Sequence, residues 1–316
     1  MLEHKTAKVA ACAAFLLLII GGMVNATGSS LACPEAFVVC HKSILPAMTG
    51  GVLYEHGHRL AAMTVGTVQI FLSILIWRRR PERRWLGVVL LCMVLAQGLF
   101  GAITVYFKLV WFVSTGHLLL GMSYFAMLVY TVFKLRPAPS AMELDRHEKL
   151  RDELGRTRTW IAVACGAVFV QLLLGALVRH FGASLACIGM PACTATGTWM
   201  PEGVGQTVHM IHRTFGCIVA IVTTLAAVNV FRTAKSWRDL RGLMLLAPVL
   251  VATQITLGVF VVLSSRAVPI AVLHFAGAAS LWALWMSAWL MTGRRQKAVD
   301  LGVEVEGELV SAGTVL

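Results

Sequence analysis

Apolar runs long enough to cross a bilayer recur eight times along this chain, near positions 8–28, 52–77, 85–107, 109–134, 158–180, 207–231, 240–264 and 268–291. A membrane helix needs roughly 20 such residues, because about 30 Å of hydrocarbon must be covered at about 1.5 Å per residue. The runs are continuous rather than alternating. They therefore predict helices, which satisfy their backbone groups internally, and not the strands of a barrel.

The polar positions between the runs repeat. Gly28-Ser29-Ser30-Leu31-Ala32-Cys33 matches Gly182-Ala183-Ser184-Leu185-Ala186-Cys187, and His58-Arg59 matches His212-Arg213, both at an offset of 154 residues. Further along the offset becomes 157, where Gln97 with Gly101 matches Gln254 with Gly258 and His117 matches His274. An ordered series at nearly constant offset marks an internal duplication. The expected architecture is all-α integral membrane, with eight transmembrane helices arranged as two pseudo-symmetric tandem four-helix bundles. The expected boundaries are 1–134 and 158–292 for the halves, 135–157 for a charged, proline-containing cytoplasmic linker, and 293–316 for a cytoplasmic tail that is acidic from Val299. An even number of helices per half makes the repeat parallel rather than inverted.

Composition agrees with this picture. Of 316 residues 58% are hydrophobic and 13% charged, a balance that makes lipid the main solvent. The net charge of +12 comes from short clusters between the apolar runs, so it reads as a topology signal and not as a nucleic-acid surface. Arg78, Arg79, Arg80, Arg83 and Arg84, the segment from Lys134 to Arg158, Arg232, Lys235, Arg238 and Arg241, and Arg294, Arg295 and Lys297 all fall on one side. That side is expected to be cytoplasmic, with both termini there, and the connections near 29–51, 180–206 and 265–267 are expected outside. A signal-peptide reading of the first run competes, since Lys5 and Lys8 precede it. Recurrence of an equivalent segment in the chain's second half argues against cleavage.

The candidate chemistry lies toward the outer ends of the helices. His58 and His117 in the first half, and His212 and His274 in the second, fall at equivalent depths. Two imidazoles on facing helices of a four-helix bundle can hold a haem iron from both sides. Zinc is the rival metal, but neither half has the close Cys or His spacing of a structural zinc site. Arg59 and Arg213 directly follow a histidine, which suits a haem propionate or a headgroup reached by snorkelling. Glu55 lies three residues before His58 and shares its helix face, while the second half reads His209-Met210-Ile211-His212 with no carboxylate. Glu55 is thus either a helix N-terminal carboxylate or a proton-handling group. His56 and His209 are close enough to the ligand positions to compete for them. Cys33 with Cys40, and Cys187 with Cys193, predict local disulfides that staple the outer loops or relay electrons.

Taken together, these residues resemble the haem A synthases, membrane enzymes that convert haem O to haem A for terminal oxidases. The resemblance covers the whole helical region. It implies that His58 and His117 hold the substrate haem O, that His212 and His274 hold a haem b cofactor, and that Glu55 acts in oxidising one porphyrin methyl group to a formyl group by successive hydroxylation. Members with outer-loop cysteine pairs form the subgroup that this chain resembles. The implied setting is the plasma (inner) membrane, with lipid, haem O synthase and terminal-oxidase assembly factors as partners, no nucleic acid, and self-association left open. The competing reading is a dihaem b-type electron-transfer protein linked to quinol, which has no use for a carboxylate in only one half. A transporter would need a polar path to the cytoplasmic side, and the helices offer none.

Overall fold

The computed structural model describes residues 1–35, 38–137, 155–235 and 237–293. Among them are eight helices long and apolar enough to cross a membrane. They are α1 (Leu2–Ala26), α2 (Gly50–Arg79), α3 (Arg84–Tyr106), α4 (Trp111–Lys134), α5 (Gly155–His180), α6 (Val204–Thr233), α7 (Arg238–Leu263) and α8 (Val268–Gly293). Most of the linker and of the acidic tail lies outside the described residues.

Two rings of four helices result. In the first half α1 packs on α2, α2 on α3, α3 on α4, and α4 closes onto α1; α5 to α8 repeat the circuit. The halves meet through α1 against α8, α4 against α5, and α4 against α8. Exchanging the halves turns the first contact into the second and leaves the third unchanged, the pattern of a pseudo-twofold axis between α4 and α8. The junction is also polar. Trp282 Nε1 donates to the Met122 carbonyl at 3.3 Å, and Thr115 Oγ1 and His180 Nδ1 are 3.1 Å apart.

Packing follows side-chain size. Ala7, Ala10 and Ala14 form a buried small-residue stripe on α1, where neighbouring helices can approach closely. Leu72, Ile76, Leu90, Met122, Leu128 and Trp285 fill the interior. Large apolar residues such as Leu95, Leu99, Ile221 and Val249 point outward, as a lipid solvent permits. Hydroxyls within the helices return to the carbonyl one turn back, as Thr131 does to Met127 at 2.8 Å and Thr223 to Val219 at 2.7 Å. At the basic end, Arg80 pairs at 2.7 Å with the buried Glu3, tying the start of α1 to the end of α2.

The duplication extends to the turns. After α3, Lys108 and Leu109 take left-handed backbone conformations at φ 52° and 65°, and the Leu109 N–H closes on the Thr104 carbonyl. After α7, Ser265 and Arg266 do the same at 52° and 68°, with the Arg266 N–H on the Val261 carbonyl. These turns and the two disulfide-bearing loops lie at the end opposite the basic clusters.

Candidate functional site

Each of the four candidate histidines leans on a glycine of the neighbouring helix. A Cβ built on Gly21 of α1 would meet His58 Cε1 at 3.1 Å, and one on Gly101 of α3 would meet His117 Cε1 at 3.3 Å. In the second half Gly175 of α5 stands against His212 at 3.1 Å and Gly258 of α7 against His274 at 3.3 Å. His58 and His212 are the ninth residues of α2 and α6, and His117 and His274 the seventh of α4 and α8. All four thus lie about 9–12 Å along their helices, at matching depth. His58 lies within electrostatic reach of His117, and His212 within that of His274. The enclosed Nδ1 atoms of His58, His117 and His212 have no hydrogen-bond partner. Gly21 and Gly175 carry no polar signal in the sequence, although their offset of 154 marks them as equivalent.

Glutamine amides hold the backbone behind the histidines. Gln97 Nε2 donates to the His117 carbonyl at 3.0 Å, and Gln254 makes the equivalent bond to His274 at 2.9 Å. In the second half alone Gln171 adds a bond of 3.0 Å to the His212 carbonyl. A cavity of about 570 Å³ opens between His212 and His274, lined also by Gly175, Gly258, Arg179 and Arg266. That is within the range of cofactor pockets, roughly 300–1,000 Å³.

The other predicted residues are occupied by the loops. Cys33–Cys40 and Cys187–Cys193 form the two expected disulfides, all four cysteines being buried. Arg59 Nη1 donates to the carbonyls of Glu35 at 2.6 Å and Val39 at 3.0 Å, and its Nη2 to that of Cys33 at 3.0 Å. Arg213 repeats this on Gly189, Ala192 and Cys187, at 2.9, 3.2 and 2.6 Å. Both guanidinium groups therefore grip the disulfide loop above their own helix. Glu55, buried at 4% exposure, accepts the Cys33 N–H at 2.8 Å and pairs with Arg59 at 2.7 Å. Its place in the second half is taken by His209, whose Nδ1 accepts the Cys187 N–H at 3.3 Å. Within the first loop, Glu35 accepts the N–H groups of His41 and Lys42. Desolvation pushes its carboxyl upward, but these bonds, with its own N–H and the nearby His41, outweigh that and hold it below the usual carboxylate range.

His56 does not turn toward the glycine-backed pair. It is fully buried, its ring lies within 4.8 Å of both Cys33 and Cys40 sulfurs, and neither ring nitrogen has a hydrogen-bond partner. While the sulfurs are bonded to each other they are not thiolates and offer no metal site. An unpaired buried polar group costs about 1–3 kcal/mol. His56→Leu should accordingly leave the thermal midpoint in detergent unchanged or raise it. A drop of several degrees would reveal an interaction that the structure lacks.

Fold and site define a class: a membrane protein of two repeated four-helix halves, each presenting a glycine-backed histidine pair beneath a disulfide-stapled loop. Residues 49–286 match the family described as COX15-CtaA, cytochrome oxidase assembly protein. This chain belongs to that family. It is similar to the heme A synthase of Bacillus licheniformis, with 26% identity over 91% of this chain and 95% of the relative. It is 29% identical to that of Geobacillus kaustophilus, covering 83% and 82% of the two chains, and 29% identical to that of Macrococcus caseolyticus, covering 87% and 93%.

Proposed function

We propose that this chain is a haem A synthase, an enzyme of haem A biosynthesis that oxidises a methyl group of haem O to a formyl group by successive hydroxylation. The observation that carries this reading is an asymmetry inside a symmetric frame. Both halves offer a histidine pair backed by glycine, yet only the first has a buried carboxylate three residues before its first histidine. The 1–134 half is then the catalytic one, with His58 and His117 holding the substrate haem O. The 158–292 half is the cofactor-bearing one, with His212 and His274 as ligands to a haem b iron.

The second-half residues suit haem b. Two imidazoles form the donor set, the enclosed Nδ1 of His212 leaves Nε2 as its outlet, and Gly175 and Gly258 keep space that a side chain would fill. When bound, that haem supplies electron transfer. The chain's own contributions are positional and protonic. The bundle excludes bulk water, the glutamine bonds fix the helices that bear His117 and His274, and Glu55 handles protons and stabilises positive charge beside the substrate. The dihaem electron carrier is disfavoured, because it gives a one-sided carboxylate no task and the relatives are named as synthases. The basic clusters support both termini on the cytoplasmic side and the disulfide loops outside.

The test is to supply haem O to the purified protein under reducing, aerobic conditions and to extract the porphyrins for mass analysis. Hydroxylated haem O followed by haem A is the expected series. Bound haem in both halves with no oxidised product would refute the proposal. The glycines give a second expectation. Gly175→Val forces His212 aside, and overpacking of about 1–3 kcal/mol lowers haem retention by about tenfold or more. Gly166→Val, in open space on the same helix, is the matched control and should retain haem. Equal haem content in the two variants would show that the close approach at Gly175 is irrelevant.

A further inference from the structure

Two arginines beside the second cavity lack acidic partners. Arg179, in the last turn of α5, donates Nη2 to the Gly21 carbonyl at 3.1 Å and lies over the Phe275 ring at 5.3 Å; its Nε is enclosed and unpartnered. Arg266, in the α7–α8 turn, reaches the last carbonyls of α1, Asn25 at 3.5 Å and Ala26 at 3.4 Å. Both line the cavity between His212 and His274. Neither forms an ion pair among the described residues.

The charges do not cancel. A helix C-terminus offers about half an elementary negative charge, whereas two guanidinium groups bring two positive charges to the end of α1. The surplus faces a cavity within a membrane bundle, where an uncompensated charge is costly and usually marks a ligand site. The pair is not duplicated, since the repeat-equivalent positions are Asn25 for Arg179 and Leu109 for Arg266, but Arg179 at the junction also lies within electrostatic reach of His58 and His117. Arg213 lines the same cavity and its Nε is likewise enclosed and unpartnered, but its Nη atoms are already taken by three loop carbonyls.

We infer that Arg179 and Arg266 form a carboxylate-binding site that anchors the two acidic side chains of the group held in the second half, at the junction with α1. This rests on the haem b reading above and deepens it. Both cations are half-buried and meet at the end of α1, where the two halves join. Guanidinium–carboxylate bonds are charge-assisted and directional, and removing one partner of such a buried pair weakens binding strongly.

The experiment uses the purified holoprotein in nanodiscs of neutral phosphatidylcholine. The second-half haem is exchanged for added haem or for haem dimethyl ester, and each is followed by absorbance as it is lost to excess apomyoglobin. The ester should leave at least about thirtyfold faster than the free acid. In Arg179→Leu/Arg266→Leu the two should leave at similar, fast rates, and Arg179→Lys should restore part of the difference. If Arg179→Leu does not fold, the wild-type comparison and Arg266→Leu decide alone. Equal loss of acid and ester from the wild type overturns the inference. So does a loss rate for haem that Arg179→Leu changes only when phosphatidylglycerol is present, since the counter-anion is then a lipid phosphate. A holoprotein whose haem is not held by His212 and His274 fails the underlying reading instead, and His212→Ala distinguishes the two failures.

Discussion

Glu55→His is expected to abolish haem A formation while leaving the protein folded and its second-half haem in place. The second half supplies the reason for choosing histidine, since His209 occupies the equivalent position and accepts the loop N–H there. A histidine at 55 can therefore keep the Cys33 N–H satisfied, whereas Glu55→Ala would orphan it at a cost of about 1–3 kcal/mol and confuse loop collapse with loss of chemistry. What histidine cannot supply is the carboxylate. Loss of a positioned proton-handling group typically costs 10²–10⁴-fold, so product should fall by at least about 100-fold. Glu55→Gln, which keeps size and an acceptor oxygen, should fall by a similar factor. The measurements are porphyrin mass analysis for product and the visible spectrum for bound haem. Near-normal haem A output from Glu55→His would reduce Glu55 to a tether for the disulfide loop.

His212→Ala is expected to lose the second-half haem and, with it, turnover. The variant removes one of two proposed axial ligands and leaves Gly175 facing empty space, while Gln171 and the His212 main-chain carbonyl keep their bond. The fold should survive, because the helix ladder and the Arg213 grip on its loop do not pass through the imidazole. Purified His212→Ala should show the low-spin, two-imidazole spectrum of the wild type reduced to whatever the first half contributes. His209→Ala is the contrasting variant. Its ring is bonded to the Cys187 N–H, so it should lose loop stability but keep its haem. Haem loss in His209→Ala with retention in His212→Ala would exchange the two assignments.

The eight spans were legible because hydrophobic run length is a property of the linear chain. Each observed helix contains or closely matches its expected run, and the largest extension is at α1, which begins at Leu2 instead of near residue 8. The extension has a tertiary cause. Glu3 and the polar first turn are drawn into the helix by Arg80, which lies on another helix. The disulfides were legible from close cysteine spacing in equivalent loops. The four histidines and Glu55 stood out because ionisable residues in apolar runs are few and four of the five recur at a nearly constant offset. Arg179 did not stand out, since the duplication places an asparagine opposite it and no recurrence marks it.

By itself the sequence determined the number of crossings, their twofold repetition and the residues able to carry chemistry, because apolar length, offset and residue type are all read along one dimension. Only the tertiary structure decided the partners. It turned Arg59 and Arg213 into the disulfide loops, set His209 in the place of Glu55, buried His56 beside the Cys33–Cys40 bond, and brought Arg266 to carbonyls some 240 residues away. The physical reason is that a long polar side chain in a membrane bundle must find its hydrogen bonds within protein. Which groups are within reach depends on helices and loops that are neighbours in space and strangers in sequence.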